Sequence, residues 1–559
     1  MGGGTSLWAS PDWTKDPRQI FNSRLWFLVV AVSFAGFSYG FDHGNVGGVL
    51  VLPSFKHRFG LDALSPADFS QRQGEIASMM SAGAAVGALC AGPFSEHLGR
   101  RWSMVAYGSV FLVGAVMQLM ANLSVFQAGR FIGGLGIGGT SVLTPQYLAE
   151  SSPKTIRGSL TTLYNLAIIL ALSLAFWVNY GVSRWSYPGV KTDDAQWRTS
   201  MAIQIIPAGA MVLLTAVAID SPRGLIARNK REKGLEALCK LRGLPQDHPY
   251  VRQEYLEICA QADVANELNK NRTYLLAIRD IVKVPSYRRR FILATTLFIF
   301  HKLTGTDAIN YFAPQIFPLL GVGSGSMSLM TTGIYGVVKF FASLLYVSFL
   351  IDRVGRRVPL MVGAALQATA MLYIGLYVRF GPTATPSTGG GGAHAGGIVG
   401  VIWIYIYAFG WSFGHSVAPY VLAAEVFPSG IRSFSISFCL MLNWLFGFAV
   451  SLATPHMLRV MGYGTFLFFA AVTYVGVVYV YFCMPELKRR SIESMDDLFE
   501  HRLWEMFRHA YPTEDEKVRK DVQRRMLDET KGAAGVAVQT ERASGTEDSD
   551  SAVGKASKG

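Results

Sequence analysis

Two residues that could carry a proton stand where charge is costly. Asp42 lies in Gly40-Phe41-Asp42-His43-Gly44, well inside an apolar stretch at about 25–47, and Arg130 opens a glycine-rich run inside another at about 125–148. An ionisable side chain at bilayer depth is a functional hypothesis by default. A carboxylate beside an arginine can exchange the ion pair for a bound proton, because burial favours the neutral acid while the arginine favours the carboxylate. The competing reading is a permanent structural ion pair between the two apolar stretches.

A second set of charges appears twice. Glu96-x-x-Gly99-Arg100-Arg101 is followed by Glu150-x-x-Pro153-x-x-x-Arg157, and Asp352-x-x-Gly355-Arg356-Arg357 by Glu425-x-x-Pro428-x-x-x-Arg432. Each cluster sits between long apolar stretches, so two copies of one multi-span unit are joined head to tail, the signature of a transporter built from repeats. An acid ending one helix and arginines starting the next can pair across a helix end, favoured by the terminal dipoles. If such pairs form only when the ends of both halves are close, these ten residues are candidates for a cytoplasmic gate lock. The alternative is topology anchoring by basic loops.

The elements that must hold these residues are membrane helices. Half of the 559 residues are hydrophobic and only 16% are charged, too apolar for a soluble chain of this length. Stretches of roughly 20 residues, the length that crosses a bilayer, fall at about 25–47, 75–95, 103–121, 125–148, 159–181 and 199–219. A second set falls at about 292–318, 327–351, 358–379, 398–424, 433–455 and 464–485. The expected fold is all-α: twelve transmembrane helices in two six-helix halves. The division is a cytoplasmic N-terminus 1–24, a first half 25–221, a cytoplasmic helical linker 222–290, a second half 291–485 and a cytoplasmic tail 486–559.

The net charge of +13 suggests nucleic acid only until the lysines and arginines are placed. They fall in loops beside spans, all on one side if the spans alternate, which a positive-inside reading makes cytoplasmic along with both termini. Five scattered cysteines show neither a disulfide framework nor ligand spacing, so no metal is expected. Residues 1–23 are polar, and span one reads as its own insertion signal. In the linker, 234–241 and 251–262 have helical spacing with mixed charge, as short amphipathic helices do. Residues 381–397 read as a flexible external loop, and the tail from about Gly532 as disordered. The sequons at Asn122 and Asn271 lie at a membrane end and in the linker, poor places for glycosylation.

Several motifs together resemble the sugar porter branch of the major facilitator superfamily. They are Gly129-Arg130-Phe131-Ile132-Gly133-Gly134, Glu150 to Gly158, Asp220-Ser221-Pro222-Arg223 and Ala308–Pro314, and the resemblance covers about Leu25 to Met484. Asp307-Ala308-Ile309-Asn310-Tyr311 and Gly333-Ile334-Tyr335-Gly336 look most like the fungal quinate-permease-like group. The resemblance implies two six-helix halves around a central cavity with alternating access. It also implies proton coupling, since proton-coupled members have an acid and an arginine at the places of Asp42 and Arg130.

The resemblance further implies which residues meet substrate, and here the chain departs from the family. His301-Lys302 stand where two adjacent glutamines are usual in span seven, and Asp307 where an asparagine is usual. Asn165 occupies a glutamine position, Tyr420 a tryptophan position, and Asn443-Trp444 are kept. Tyr311 falls at an expected aromatic external gate, and Trp444 could stack on the apolar face of a ring. Glutamine donates and accepts, as hydroxyls require, whereas lysine only donates and carries charge. Lys339 in span eight, at or beside a family asparagine, adds a second cation. The site is therefore expected to suit a carboxylated polyol such as quinate, or a sugar acid; a neutral hexose is the alternative. Lys302 paired with Asp307, or Lys339 snorkelling to an interface, is the plainer reading.

An enzyme would need a catalytic constellation, and the ionisable residues in the spans supply no Ser/His/Asp set, metal spacing or phosphate loop. Some members of the family that the chain resembles signal through long cytoplasmic tails; the tail after Met484 is only moderately long and has no evident repeated motif, so a transporter-like nutrient sensor stays a remote alternative. The expectation is a proton-coupled symporter, not an enzyme, with no cofactor but protons as coupling ion. It works as a monomer in a lipid bilayer, the plasma membrane being the commonest case, on a small-molecule substrate and without nucleic acid.

Overall fold

The computed structural model describes residues 17–185, 189–190, 193–269, 274–321, 323, 325–350, 354–381, 395–486, 498–508 and 511. The described residues form helices and no strand, as lipid demands of a segment that must satisfy its own backbone. The first six membrane helices are α1 (Ser23–Val49), α2 (Pro66–Leu98), α3 (Arg100–Met117), α4 (Leu123–Ser151), α5 (Arg157–Ser183) and α6 (Ala195–Val217). The second six are α7 (Pro285–Leu303 as α7a, Thr306–Leu319 as α7b), α8 (Ser326–Leu345), α9 (Arg357–Phe380), α10 (Ala395–Gly414 as α10a, Ala418–Val426 as α10b), α11 (Ser429–Val460) and α12 (Tyr463–Cys483).

Nine helical stretches among the described residues are long and apolar enough to cross a bilayer by composition alone. The other three are α3, which begins with Arg100-Arg101, α4, which holds six glycines and Arg130, and α7, which is broken. Several helices outrun the apolar segments that announce them. α2 starts at Pro66 rather than near 75 because Ser65 caps it, its hydroxyl accepting from Asp68 N at 3.2 Å, with proline at the first position.

Between the halves lie the helices Pro222–Ala227, Arg231–Arg242, Pro249–Asn269 and Tyr274–Lys283. The two amphipathic stretches read from the sequence lie in the second and third; the fourth went unread. Arg242 is buried and forks onto Glu254 at 2.8 Å through both Nε and Nη2, while Nη1 donates to Ser151 O at 2.9 Å, fastening the linker to the end of α4. Of the stretch 381–397 expected as an external loop, residues 395–397 belong to α10a, while residues 382–394 lie outside the described residues, as do Asn271 and the tail from Gly532. Asn122 caps α4, accepting from Ser124 N and Val125 N. Residues 498–508, read as tail, return to the bundle, where Arg289 donates to Phe499 O at 2.9 Å.

The halves meet along two long seams, α2 against α11 and α5 against α8, and along a shorter one, α1 against α7b. The polar cluster described next lies where these seams converge.

Candidate functional site

The break in α7 builds the site. Gly305 sits at φ +85°, left-handed backbone that glycine adopts without the Cβ penalty, and a Cβ there would meet Phe469 Cγ at 2.9 Å. His301 and Lys302 close the last turn of α7a and Asp307 opens the first turn of α7b. Cations at a helix C-terminus and an acid at an N-terminus both lie with the dipoles. The break also turns Lys302 and Asp307 towards each other: Lys302 Nζ lies 2.9 Å from Asp307 Oδ2 and 3.1 Å from Oδ1, both residues 3% exposed or less. The plainer reading of Lys302 is thus what the structure shows.

Trp444 is buried, with Lys302 Nζ 5.5 Å from its ring centre, the ring of Tyr39 5.1 Å away and its own indole N–H donating to Ser141 at 3.4 Å. Its surroundings leave less room for ring stacking than the sequence suggests. Asn443 Oδ1 accepts at 2.9 Å from His301 Nδ1. Tyr420 is 39% exposed, and its ring lies 6.0 Å from that of His301 and 5.2 Å from that of Phe298. Asn165 donates to Ser416 Oγ at 2.6 Å, a hydrogen bond from one half to the other.

Lys339 from α8 is buried and differs from Lys302 in having no ion pair among the described residues. Its ammonium lies 3.7 Å from the Trp411 ring centre and donates to Asn310 Oδ1 at 3.3 Å, an acceptor it shares with Tyr335 Oη at 3.1 Å. It does not snorkel. Tyr311 is fully buried and bonded at 2.8 Å to His43 Nδ1, the neighbour of Asp42.

On the other side of α1, Asp42 meets Arg130. Nη1 donates to Oδ1 at 2.8 Å and Oδ2 at 2.9 Å, and Nε and Nη2 donate to the carbonyls of Ile76 and Ala77 in α2. Both side chains are 1% exposed or less, so removing one partner would leave a buried charge, at about 3–5 kcal/mol. Sequence reasoning missed His43, Asn310, Tyr335 and Trp411. The first three stand inside motifs it had quoted; a signal for Trp411 was absent.

The doubled charges pair within each half rather than between halves. Arg100 Nη2 lies 2.9 Å from Glu150 Oε1, and Arg356 Nη2 3.3 Å from Glu425 Oε1. Arg101 donates to Ala216 O, Arg357 Nη2 to Tyr481 O at 2.6 Å and Arg432 Nε to Phe427 O at 2.9 Å. Among the described residues Nε and Nη2 of Arg157 have no hydrogen-bond partner and Glu96 is exposed; Asp352 lies outside them. These bonds therefore run inside each repeat, across the helix ends as the sequence suggests, and do not join one half to the other as a gate lock requires. The reason is local: Gly99 and Gly355 turn at φ +86° and +87° and fold each arginine back onto its own half. Each repeat also uses a further acid. Asp220 accepts from Arg101 N at 3.4 Å, and Glu486 accepts from Arg356 N at 3.0 Å and Arg357 N at 3.0 Å.

Comparison with known proteins agrees with this architecture. Residues 28–499 match the family described as Sugar (and other) transporter. The chain is 34% identical over 516 residues to a probable quinate permease of Aspergillus fumigatus, covering 90% of this chain and 92% of that one. It is 34% identical over 491 residues to the quinate permease of Emericella nidulans, covering 87% and 90%. Among solved structures, the xylose transporter XylE from E. coli in a partially occluded inward-open conformation superposes with a TM-score of 0.68 at 23% identity, covering 84% of this chain and 100% of that one. XylE as a proton:xylose symporter bound to 6-bromo-6-deoxy-D-glucose gives 0.70 at 23%, covering 85% and 99%. With a doubled six-helix unit, a polar cluster between the halves and these relatives, the chain belongs to the sugar porter family of the major facilitator superfamily, a multi-pass membrane transporter of the sugar type and not an enzyme.

Proposed function

We propose that this transporter is a proton-coupled symporter of a monoanionic, carboxylated polyol such as quinate, or of a sugar acid, working by alternating access. The observation that carries the reading is Lys339. Lys302 and Asp307 neutralise each other, Arg130 and Asp42 do the same, and Lys339 remains as a buried cation with no ion pair among the described residues. A carboxylate supplied by the substrate would balance it, and Asn310, Tyr335, Asn443 and His301 stand close enough to serve ring hydroxyls. Relatives named as quinate permeases support the same class.

Coupling rests on Asp42. A proton taken from outside releases Arg130 from its carboxylate, and substrate then binds between Asn165, His301, Lys302, Asp307, Tyr311, Lys339, Tyr420, Asn443 and Trp444 before the halves rock. The likeness to a proton:xylose symporter is compatible with this. At the cytoplasmic face the moving gate is the meeting and parting of the two units that these loop charges brace, and both termini are cytoplasmic. The chain works as a monomer, since both halves of one chain complete the cluster, and resides in the plasma membrane.

A second reading, transport of a neutral hexose, is favoured by the mutual neutralisation of Lys302 and Asp307. Labelled quinate, galacturonate and glucose, compared in a transport-null host, separate the two. Saturable quinate or galacturonate uptake is expected; glucose uptake indifferent to excess of either acid overturns the anion reading. Asp42→Asn is expected to abolish accumulation against a gradient while substrate exchange persists, and full accumulation in that variant overturns coupling through Asp42.

A further inference from the structure

His43 follows Asp42 on α1, so the two side chains leave the helix about 100° apart. Asp42 turns to α4, and His43 turns across the seam to α7b. Its Nδ1 lies 2.8 Å from Tyr311 Oη, its Nε2 3.2 Å from Asn310 Nδ2 and 3.5 Å from Asp307 Oδ1. The ring is 4% exposed and packs 4.6 Å from that of Tyr311. The backbones here are close as well, since a Cβ on Gly47 would meet Tyr311 O at 2.5 Å. One imidazole thus supplies the polar bond between α1 and α7b on a seam that must part if the cavity is to open towards the other face.

The tautomer of this ring follows from its neighbours. Lys339 can only donate, so Asn310 must present Oδ1 to it, and Tyr335 donates to the same oxygen. That fixes the amide with Nδ2 towards His43. An amide N–H can only donate, so Nε2 accepts and the ring proton sits on Nδ1, donated to Tyr311 Oη. In this state Nε2 offers nothing to Asp307. If a substrate carboxylate engages Lys339 and draws its ammonium from Asn310, the amide is free to turn over. The ring can then take up a second proton on Nε2, supplied by the proton that enters with substrate, and as imidazolium donate from Nδ1 to Tyr311 and from Nε2 to Asp307, so that the bonding of α1 to α7b changes.

We propose that His43 is a positioning residue for transport, and that the Lys339–Asn310–His43 chain reports the charge bound at Lys339 to the α1/α7b seam, next to Asp42. The inference rests on the reading of the central cluster as the substrate site. The groups facing the ring are Tyr39 on α1, Asp307, Asn310 and Tyr311 on α7b, and, acting through their charge, Lys302 on α7a and Lys339 on α8.

The test is a double-mutant cycle on the purified full-length protein in proteoliposomes, with labelled quinate and labelled glucose, each measured as exchange and as proton-driven uptake across pH. His43→Gln can keep one donor and one acceptor but cannot take a proton. It is expected to retain exchange, to lose about tenfold in the maximal rate of uptake, on the scale of one buried hydrogen bond to a charged group, and to flatten the pH profile. In a Lys339→Met background the same change should alter neither rate nor pH profile further. Additive effects in the two backgrounds overturn the proposal, as does a pH profile that His43→Gln leaves unchanged. Lys339→Gln replaces Lys339→Met if the latter does not fold, and the same two outcomes decide. If the wild-type protein carries glucose and not quinate, the anion reading falls, and the cycle read on glucose still decides whether His43 answers to Lys339.

Discussion

A buried lysine is the residue on which the substrate turns. Lys339 is held by an amide oxygen and two aromatic rings, a setting in which its ammonium is costly and a nearby anion would stabilise it. Lys339→Met is therefore expected to weaken quinate binding about tenfold to a hundredfold, the range for a hydrogen bond to a charged group. Glucose, if carried at all, should be unaffected or bind more tightly. Competition binding on the purified protein measures both. Lys302 should behave differently, because its substitution leaves Asp307 buried without its cation: loss of fold, seen as a lower melting temperature, is expected before any change of specificity.

At the scale of the element, the break in α7 and the starts of α3 and α9 bear the functional geometry. Gly305→Ala puts a Cβ on left-handed backbone, at about 1–2 kcal/mol, and against Phe469 and Met371. It should lower the melting temperature and, by realigning Lys302 with Asp307, reduce uptake more than a neutral destabilising change of equal size. Glu486 is buried and accepts two backbone N–H groups at the start of α9, whereas Asp220, at the start of α3, is more exposed and takes one backbone N–H there at 3.4 Å. Glu486→Gln is thus expected to destabilise by about 1.5–3 kcal/mol, and Asp220→Asn by less, in parallel thermal unfolding of the two variants. Equal losses would mean that the two repeats share the load evenly.

For the whole molecule, motion is the question. The halves touch along α2/α11, α5/α8 and α1/α7b, and Asn165 to Ser416 is a direct hydrogen bond between them. With the five native cysteines replaced, joining cysteines at 165 and 416 with a short bifunctional thiosulfonate should stop the uptake that the reduced double-cysteine protein retains, and reduction should restore it to that level. Uptake that continues in the cross-linked protein would show that the two halves need not separate there. The doubled Arg100–Glu150 and Arg356–Glu425 pairs, by contrast, lie within the halves and can persist through such a motion. What changes between states must then be how the two paired units face each other.

Much of this was legible in the chain because membrane structure is written in local terms. Length and apolarity of a segment decide whether it spans, and the doubled Gly-Arg-Arg and Glu/Pro/Arg patterns disclose the repeat; neither needs a distant contact. Asp42 and Arg130 were legible for the same reason, since charge in an apolar run must find a partner. The sequence offers Asp42 with Arg130 and Lys302 with Asp307 as pairs, but it cannot decide between these and the other readings. That Lys302 closes on Asp307 while Lys339 is left to Trp411 and Asn310 depends on the angle across the break at Gly305 and on how α8 lies against α7b and α10. That His43 joins Tyr311 depends on the seam between the halves. Partner choice is a matter of a few ångströms between residues far apart in the chain, and only packing sets it.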